Sequence, residues 1–457
     1  MSRAFKVLFI ILFFFNSLSG QEILINDIVI DGNKVTKKQI ILRELPFSVG
    51  DVVSEKDLKD QIEISEQNLL NTGLFNDVNI TPIKTFKNDL IVLIELKELW
   101  YIFPSPIFSL VDPNFNLWWR TKDLSRVNYG LSYLQKNFRG RNERLSVKVQ
   151  GGYSQKYVLS YQIPGINNKR TLGLLLSANY SQFSEVTVGT LNNYRVFYDD
   201  KSGRTMESTG YRVGLDHRPR FNLWHRIYIG RASFLISDSL FNRFPDHLNN
   251  KKKLSYCDLY YIINYQNVDF LPYPLKGSEI SFETNVKGIG AGSEDLFTNF
   301  FFNFSQHTKL ADRWHFQIGL RTKYSFYKEL PYALQRGLGY SDRQVRGFGY
   351  YIIDGQAYSL FRNNLKFTLI KPNSFRLPIR NEKMNTIKYA FYLNGFFDAG
   401  YVKDDLYSAN NILDNKWLLG SGIGLDFVTA FNRVFRLEYS INNINERGLF
   451  LQYRRSI

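Results

Sequence analysis

Cysteine is all but missing from this sequence: Cys257 is the single one in 457 residues. A lone thiol forms no internal disulfide, so oxidative stapling has no part in the fold. No cysteine follows the opening apolar segment either, which argues against a lipid anchor there. Long hydrophobic runs are also scarce. Past that opening segment nothing approaches the ~20 consecutive apolar residues a spanning helix needs. If the mature chain lives in a membrane it must therefore do so as a closed barrel, where every backbone donor and acceptor finds a partner. The signatures of chemistry are missing too: there is no HExxH, no GxSxG, no phosphate loop and no cysteine cluster. His217, His225, His247, His307 and His315 are scattered without ligand spacing. These absences predict no catalytic residue, no metal and no cofactor, hence not an enzyme. Basic helices and aromatic binding platforms are lacking as well, so nucleic acid is not an expected partner.

What the chain does have is aromatic residues, 16% of the total, and a net charge of +16. Its length suits two domains, one of them large. Arg3 and Lys6, the apolar run Val7 to Phe15, and the small residues Ser17, Ser19 and Gly20 read as a cleaved signal peptide over residues 1–20. Charge is split unevenly, about −5 over residues 21–99 and about +19 over the remainder of the mature chain. A basic barrel facing anionic outer-leaflet lipid or an acidic lumenal client fits that split; solvated loops are the plainer account of many of the lysines.

Residues 22 to 98 read as a small α+β unit. Ile23 to Ile30 alternates as a strand and closes on Asp31-Gly32-Asn33, a turn signal. Thr36 is placed to cap a helix over Lys37 to Leu45. Ser54 is placed to start a second helix with Leu58, Ile62, Leu69 and Leu70 on its apolar side. Thr72-Gly73-Leu74-Phe75 ends that helix and sets an apolar pair in the core, and Val78 to Ile83 and Leu90 to Leu96 follow as strands. The strings IVIDGNKVTKKQIILREL, LLNTGLFNDVNI and LIVLIELKE resemble a POTRA domain, the periplasmic module of outer-membrane assembly and secretion proteins. Gly32, Asn33, Gly73, Leu74 and Phe75 are its marks here. The resemblance implies that the module receives extended client segments by adding a strand to a sheet edge, which agrees with β-augmentation; a rigid spacer is the bland alternative.

From Trp100 onward the period becomes two. Trp314, Phe316, Ile318, Leu320, Tyr324 and Phe326 share one face of a strand, and His315, Gln317, Gly319, Arg321, Lys323 and Ser325 the other. Ile280, Phe282 and Val286, and Leu145, Val147 and Val149, repeat the pattern. One face suits lipid and the other water, so residues 100–457 predict a transmembrane β-barrel of about 16 antiparallel strands behind a periplasmic POTRA domain at 21–99.

Several barrel segments, in order, resemble the BamA/TamA-type outer-membrane assembly family. They are Asn137 to Asn142, Tyr161 to Gly165, Asp269 with Pro274 and Gly277, and Gln344-Val345-Arg346-Gly347-Phe348, which looks like the family's VRGF loop motif. Gly395 to Val402 looks like its later strand motif with an aspartate. Periodicity orients that strand independently: Phe391, Leu393, Phe397 and Tyr401 face lipid, so Asn394 and Asp398 face the lumen. A lumenal carboxylate and a lumen-folded arginine should pair bidentately, because either alone is costly. The loop carrying Val345, Arg346, Gly347 and Phe348 is thus expected to fold back into the barrel and be pinned to Asp398, a contact the resemblance also implies. Three departures stand out. Lys366 occupies a position where the family often carries a lumenal glutamate, which leaves the arginine one acidic partner. Ala430-Phe431-Asn432-Arg433 lacks the usual Pro-Gly-Pro, and the sequence closes on Arg454-Arg455-Ser456-Ile457 in place of an aromatic.

The stretch Trp100 to Val111 carries Pro104 and Pro106, whose missing donors fall on one side of a strand, and proline is tolerated mainly at sheet edges. That side is the expected barrel seam against the last strand, Leu449 to Arg454, which cysteines placed across it at Phe108 and Leu451 would lock. A poorly paired seam could open sideways to admit a client strand, the step the resemblance implies; an irregular linker ahead of the barrel is the other reading. Two transport functions follow. One is an outer-membrane assembly factor that folds and inserts barrel clients through the lateral seam, driven by client folding. The other is a two-partner-type secretion channel exporting an unfolded polypeptide, although such channels carry two POTRA modules as a rule and this chain carries one. A third possibility is a catalytic or structural barrel served by a separate soluble chain. The expected partners are unfolded outer-membrane or secreted polypeptides, outer-membrane lipid and accessory assembly subunits.

Overall fold

The computed structural model describes residues 22–86, 89–110, 127–201, 203–289, 296–327, 330–340, 342–378, 385–429 and 433–455. The expected signal peptide and residues 430–432 of the penultimate turn lie outside them. The chain divides into two compact units at Trp100/Tyr101.

The first unit is built from β1 (Glu22–Asp31), α1 (Lys38–Leu42), β2 (Val52–Ser54), α2 (Glu55–Asn71), β3 (Phe75–Lys84) and β4 (Leu90–Glu98). Its sheet runs β2-β1-β4-β3, with β1 parallel to β4. α1 is shorter than the expected Lys37–Leu45, and Thr36 does not cap it. Lys37 holds the cap position without a side-chain bond, while the Thr36 amide and hydroxyl both donate to Glu98 Oε1 at 2.7 Å. That carboxylate, at the end of β4, draws Thr36 into the interior, and Pro46 disfavours helical geometry at Leu45 just before it. Ser54 does cap α2, accepting the Asp57 amide at 3.2 Å. Gly32 turns at φ +85°, and a side chain there would sit 2.0 Å from the Leu96 carbonyl oxygen, so only glycine fits. Leu74 and Phe75 are buried, and the Asn33 side chain donates to the Thr36 carbonyl at 3.0 Å.

The second unit is a sheet of sixteen strands among the described residues, every neighbouring pair antiparallel. Numbering continues along the chain from β5 (Ile102–Leu110) to β22 (Arg447–Arg455), with β10 (Glu185–Leu191) and β11 (Tyr194–Asp199) standing apart as a separate hairpin. The strands that matter below are β17 (Trp314–Tyr327), β18 (Ala357–Arg376), β19 (Thr386–Lys403), β20 (Trp417–Thr429) and β21 (Arg433–Asn442). Alternation sets their faces. Trp314, Tyr324 and Phe326 are exposed while His315, Lys323 and Ser325 are buried, and Leu393 and Phe397 are exposed while Asn394 and Asp398 are buried. A slip of one residue would exchange the two faces, so the register is strongly specified.

Two segments enter the interior. The segment between β17 and β18 turns inward and packs Leu338, Val345, Phe348, Tyr351 and Ile353 against Leu360, Val402 and Leu418 of the wall. The turn after Val268 brings Tyr273 in to stack on Tyr392 at 4.6 Å, beside Ala390, Val428 and Val434. Asp269 shapes that turn by accepting the Leu275 and Lys276 amides at 3.0 and 3.2 Å.

Candidate functional site

The inward loop owes its tip to Gly347, at φ +96°, which lets the chain reverse after Arg346 while Phe348 and Val345 bury their side chains in the lumenal core. Reversal presses the backbone against the wall. A methyl group on Gly420 of β20 would lie 1.8 Å from the Arg346 carbonyl oxygen, and one on Gly400 of β19 would lie 2.4 Å from Val345 Cγ2. Glycine in these strands makes the room the loop occupies.

Arg346 is 4% exposed and Asp398 is fully buried. Asp398 Oδ2 accepts the arginine Nε at 2.8 Å and its backbone amide at 3.1 Å, while Oδ1 accepts Nη2 at 2.6 Å. Nη1 donates to Asn364 Oδ1 at 2.7 Å and Glu438 Oε1 at 3.2 Å, and Nη2 also reaches the Asn363 carbonyl at 3.4 Å. Every guanidinium N–H has an acceptor. The cation also lies 3.8 Å over the Phe396 ring, on the lumenal face of the same strand as Asp398. Arg362 adds a second positive charge 3.7 Å from Asp398, and its Nη2 donates to the Gln344 carbonyl.

Glu438 corrects one expectation. With Lys366 at the family's glutamate position, Arg346 was expected to have a single acidic partner; it has two, the second supplied from β21. Lys366 instead donates to the Pro274 carbonyl at 3.2 Å and lies 4.2 Å over Tyr273, so it secures the other inward piece. Periodicity would have found Glu438, because Arg436, Glu438 and Ser440 alternate with Phe435, Leu437 and Tyr439. The Phe396 stack and the Asn364 contact carry no such signal, since they depend on how three strands meet in space. The arrangement is a satisfied ion network that can hold the loop. Nothing in it offers a nucleophile or an open coordination site, and no metal-binding group of side chains occurs among the described residues.

At the expected seam, the sheet order ends on β5 and β22. β5 pairs with β6, Val127–Phe138, in unbroken register from Ile102↔Gln135 to Leu110↔Val127, with Pro104 opposite Tyr133 and Pro106 opposite Leu131. A ladder between β5 and β22 is not among the described pairings. Phe108 and Leu451 are 69% and 76% exposed, and Leu449 is exposed as well, so all three lie on the outer face. The structure thus gathers Val345, Arg346, Gly347, Phe348 and Asp398 into one lumenal cluster, and sets Pro104, Pro106, Phe108, Leu449 and Leu451 on the two end strands. The five residues of the POTRA motif belong to the other compact unit.

Comparison with known proteins agrees with the two-unit architecture. Residues 23–99 match POTRA, the surface antigen variable number repeat, and residues 137–448 match the Omp85 superfamily domain. Among solved structures, CdiB from Escherichia coli superposes with a TM-score of 0.53 at 14% identity, covering 94% of this chain and 75% of that one. BamA from Haemophilus ducreyi lacking POTRA domains 1-3 gives 0.49 at 16% identity, with 94% and 84% covered. CdiB from Acinetobacter baumannii gives 0.49 at 16%, with 94% and 73% covered. At these identities the likeness is one of fold. No curated protein sequence matches the chain.

Proposed function

The chain belongs to the Omp85 superfamily, and from that premise we propose that it is an outer-membrane assembly factor, with its POTRA domain in the periplasm receiving unfolded client strands and its barrel passing them into the bilayer at the β5–β22 seam. The observation that carries this reading is the loop held inside the lumen by its ion network. Between the inward loop and the inward turn there remains a cavity of about 180 Å³, lined by Tyr273, Arg346, Arg362, Lys366 and Arg436. An extended polypeptide passing through the lumen must displace this loop from its ion network, whereas a route through the wall leaves its pin to Asp398 in place. The two prolines of β5 support the choice of seam, since they remove donors that a tight closure would use. The driving force is the client's own folding.

Export of an unfolded polypeptide through the lumen is the competing reading, and the depleted outer membrane separates the two. Broad loss of barrel proteins on depletion supports assembly; loss of one secreted protein, with barrels intact, overturns it in favour of export. Loss of neither supports a barrel that serves a separate soluble chain. The seam has its own test. Phe108→Cys with Leu451→Cys, in a Cys257→Ser background, should stop client insertion when oxidised and recover it on reduction. Full activity in the crosslinked protein would exclude a working seam.

A further inference from the structure

The loop tip touches more than the strand that pins it. Arg346 reaches Glu438 of β21, and the other carboxylate oxygen of Glu438 accepts Gln452 Nε2 of β22 at 2.8 Å. The Gly347 carbonyl accepts Asn442 Nδ2 at 2.9 Å, and the Tyr351 hydroxyl donates to Glu446 Oε1 at 2.6 Å. Tyr350 lies 5.5 Å from the Phe450 ring, and a methyl group on Gly349 would meet that ring at 2.8 Å. Arg346, Gly347, Gly349, Tyr350 and Tyr351 therefore each meet the β21–β22 hairpin, which ends the sheet. On its other side the same arginine is held by Asp398, on a strand paired along both edges.

We propose that the loop tip is a latch on the terminal hairpin, with Glu438 as the positioning residue that joins Arg346 to Gln452, so that release of β22 and loosening of the loop are one event. The inference rests on the reading of β22 as a seam strand and adds what governs it. Glu438 is buried; its Oε2 accepts Gln452, and its Oε1 accepts Arg346 with Arg436 Nε 3.7 Å away. Removing the β22 donor frees that carboxylate to turn toward Arg436, and it then holds Arg346 less well. The coupling is reciprocal, because both contacts share one side chain.

Hydrogen exchange on the full chain in detergent micelles, read by mass spectrometry, tests this without reference to clients, so its failure is distinct from failure of the assembly reading. Gln452→Ala should speed exchange in the loop segment 345–351 about tenfold and leave 206–268, on other strands, unchanged. Arg346→Ala should speed exchange in 447–452. Leu451→Ala, which removes an outward neighbour on the same strand, should leave the loop unaffected. Unchanged loop exchange in Gln452→Ala overturns the latch. So does equal loosening by Leu451→Ala, which would mean that any weakening of β22 frees the loop. Should Arg346→Ala fail to fold, judged by loss of the heat-modifiable gel shift, the Gln452 and Leu451 comparison decides alone.

Discussion

Arg346 is where the two inward-facing carboxylates, the asparagine and the aromatic ring converge, and its replacement is the most informative single change. Arg346→Ala takes the hydrogen-bonded cation from Asp398 and Glu438 and leaves them only Arg362 and Arg436, each at 3.7 Å, a loss of up to about 3–5 kcal/mol that should lower the temperature at which the folded barrel converts to the unfolded gel band. Arg346→Lys should recover only part, because an ammonium cannot span both carboxylates and the asparagine with a planar fork. Exchanging the charges of Arg346 and Asp398 should not restore stability. The new aspartate would face Glu438, and the new arginine would face Arg362. Gly420→Ala tests the backbone side of the same site: its methyl group collides with the Arg346 carbonyl, so the loop must shift at a cost of about 1–3 kcal/mol. Gly189→Ala, which meets nothing within 4 Å, is the tolerated control. The pairing of Arg346 with Asp398 was legible in the alternation around Asp398. Glu438 was legible in principle from the alternation of β21, although Lys366 at the position of the family's glutamate argued for a single acid.

Elements outside the lumen carry features that alternation does not foretell. The tip of the β10–β11 hairpin inserts Asn193, at φ +62°, into the segment between β19 and β20. Its amide donates to Asp414 Oδ1 at 2.6 Å, and its carbonyl oxygen accepts the Ile412 and Leu413 amides at 3.0 and 2.9 Å. Burial pushes the Asp414 carboxyl up to about 6, against the opposing Asn193 bond. A carboxyl raised by folding contributes stability that is present in full below its ordinary 3.8 and is lost as pH rises through about 6. Exchange protection of residues 411–414, corrected for intrinsic rate, should therefore be greater at pH 5 than at pH 7, and Asp414→Asn should flatten the difference. β18 and β19 present a different case. They stay paired out to Arg376↔Thr386, whereas β17 leaves β18 after Trp314↔Phe367. The exposed edge so created carries Lys371, Pro372 and two register shifts, the devices that keep an edge from pairing with another chain. Lys371→Thr with Pro372→Val should yield higher oligomers in detergent by size-exclusion chromatography.

For the whole molecule, the inward loop has a direct electrical consequence. Purified protein in a planar bilayer should conduct weakly, and deletion of residues 338–352, which removes the loop core, should raise conductance several-fold. A wild-type barrel as conductive as the deletion would mean that the loop does not fill the lumen under those conditions. The same packing changes the role given to the loop. From the chain alone it reads as a fixed brace with the seam as a separate moving part; its contacts to Asn442, Glu446, Phe450 and, through Glu438, Gln452 place it on the β21–β22 hairpin that ends the sheet.

Two periodicities were enough to announce a small α+β unit followed by a barrel, because a strand with one face in lipid and one in water must alternate, and a one-residue error would bury charge in hydrocarbon. They also placed Asp398 inward. Which other inward residues meet Arg346 depends on the stagger between strands and on how far a loop reaches after Gly347. Neither follows from local spacing. Glu438, Phe396 and Gln452 lie 92, 50 and 106 residues from Arg346 along the chain, and only closure of the sheet around the returning loop brings them to one guanidinium and one shared carboxylate.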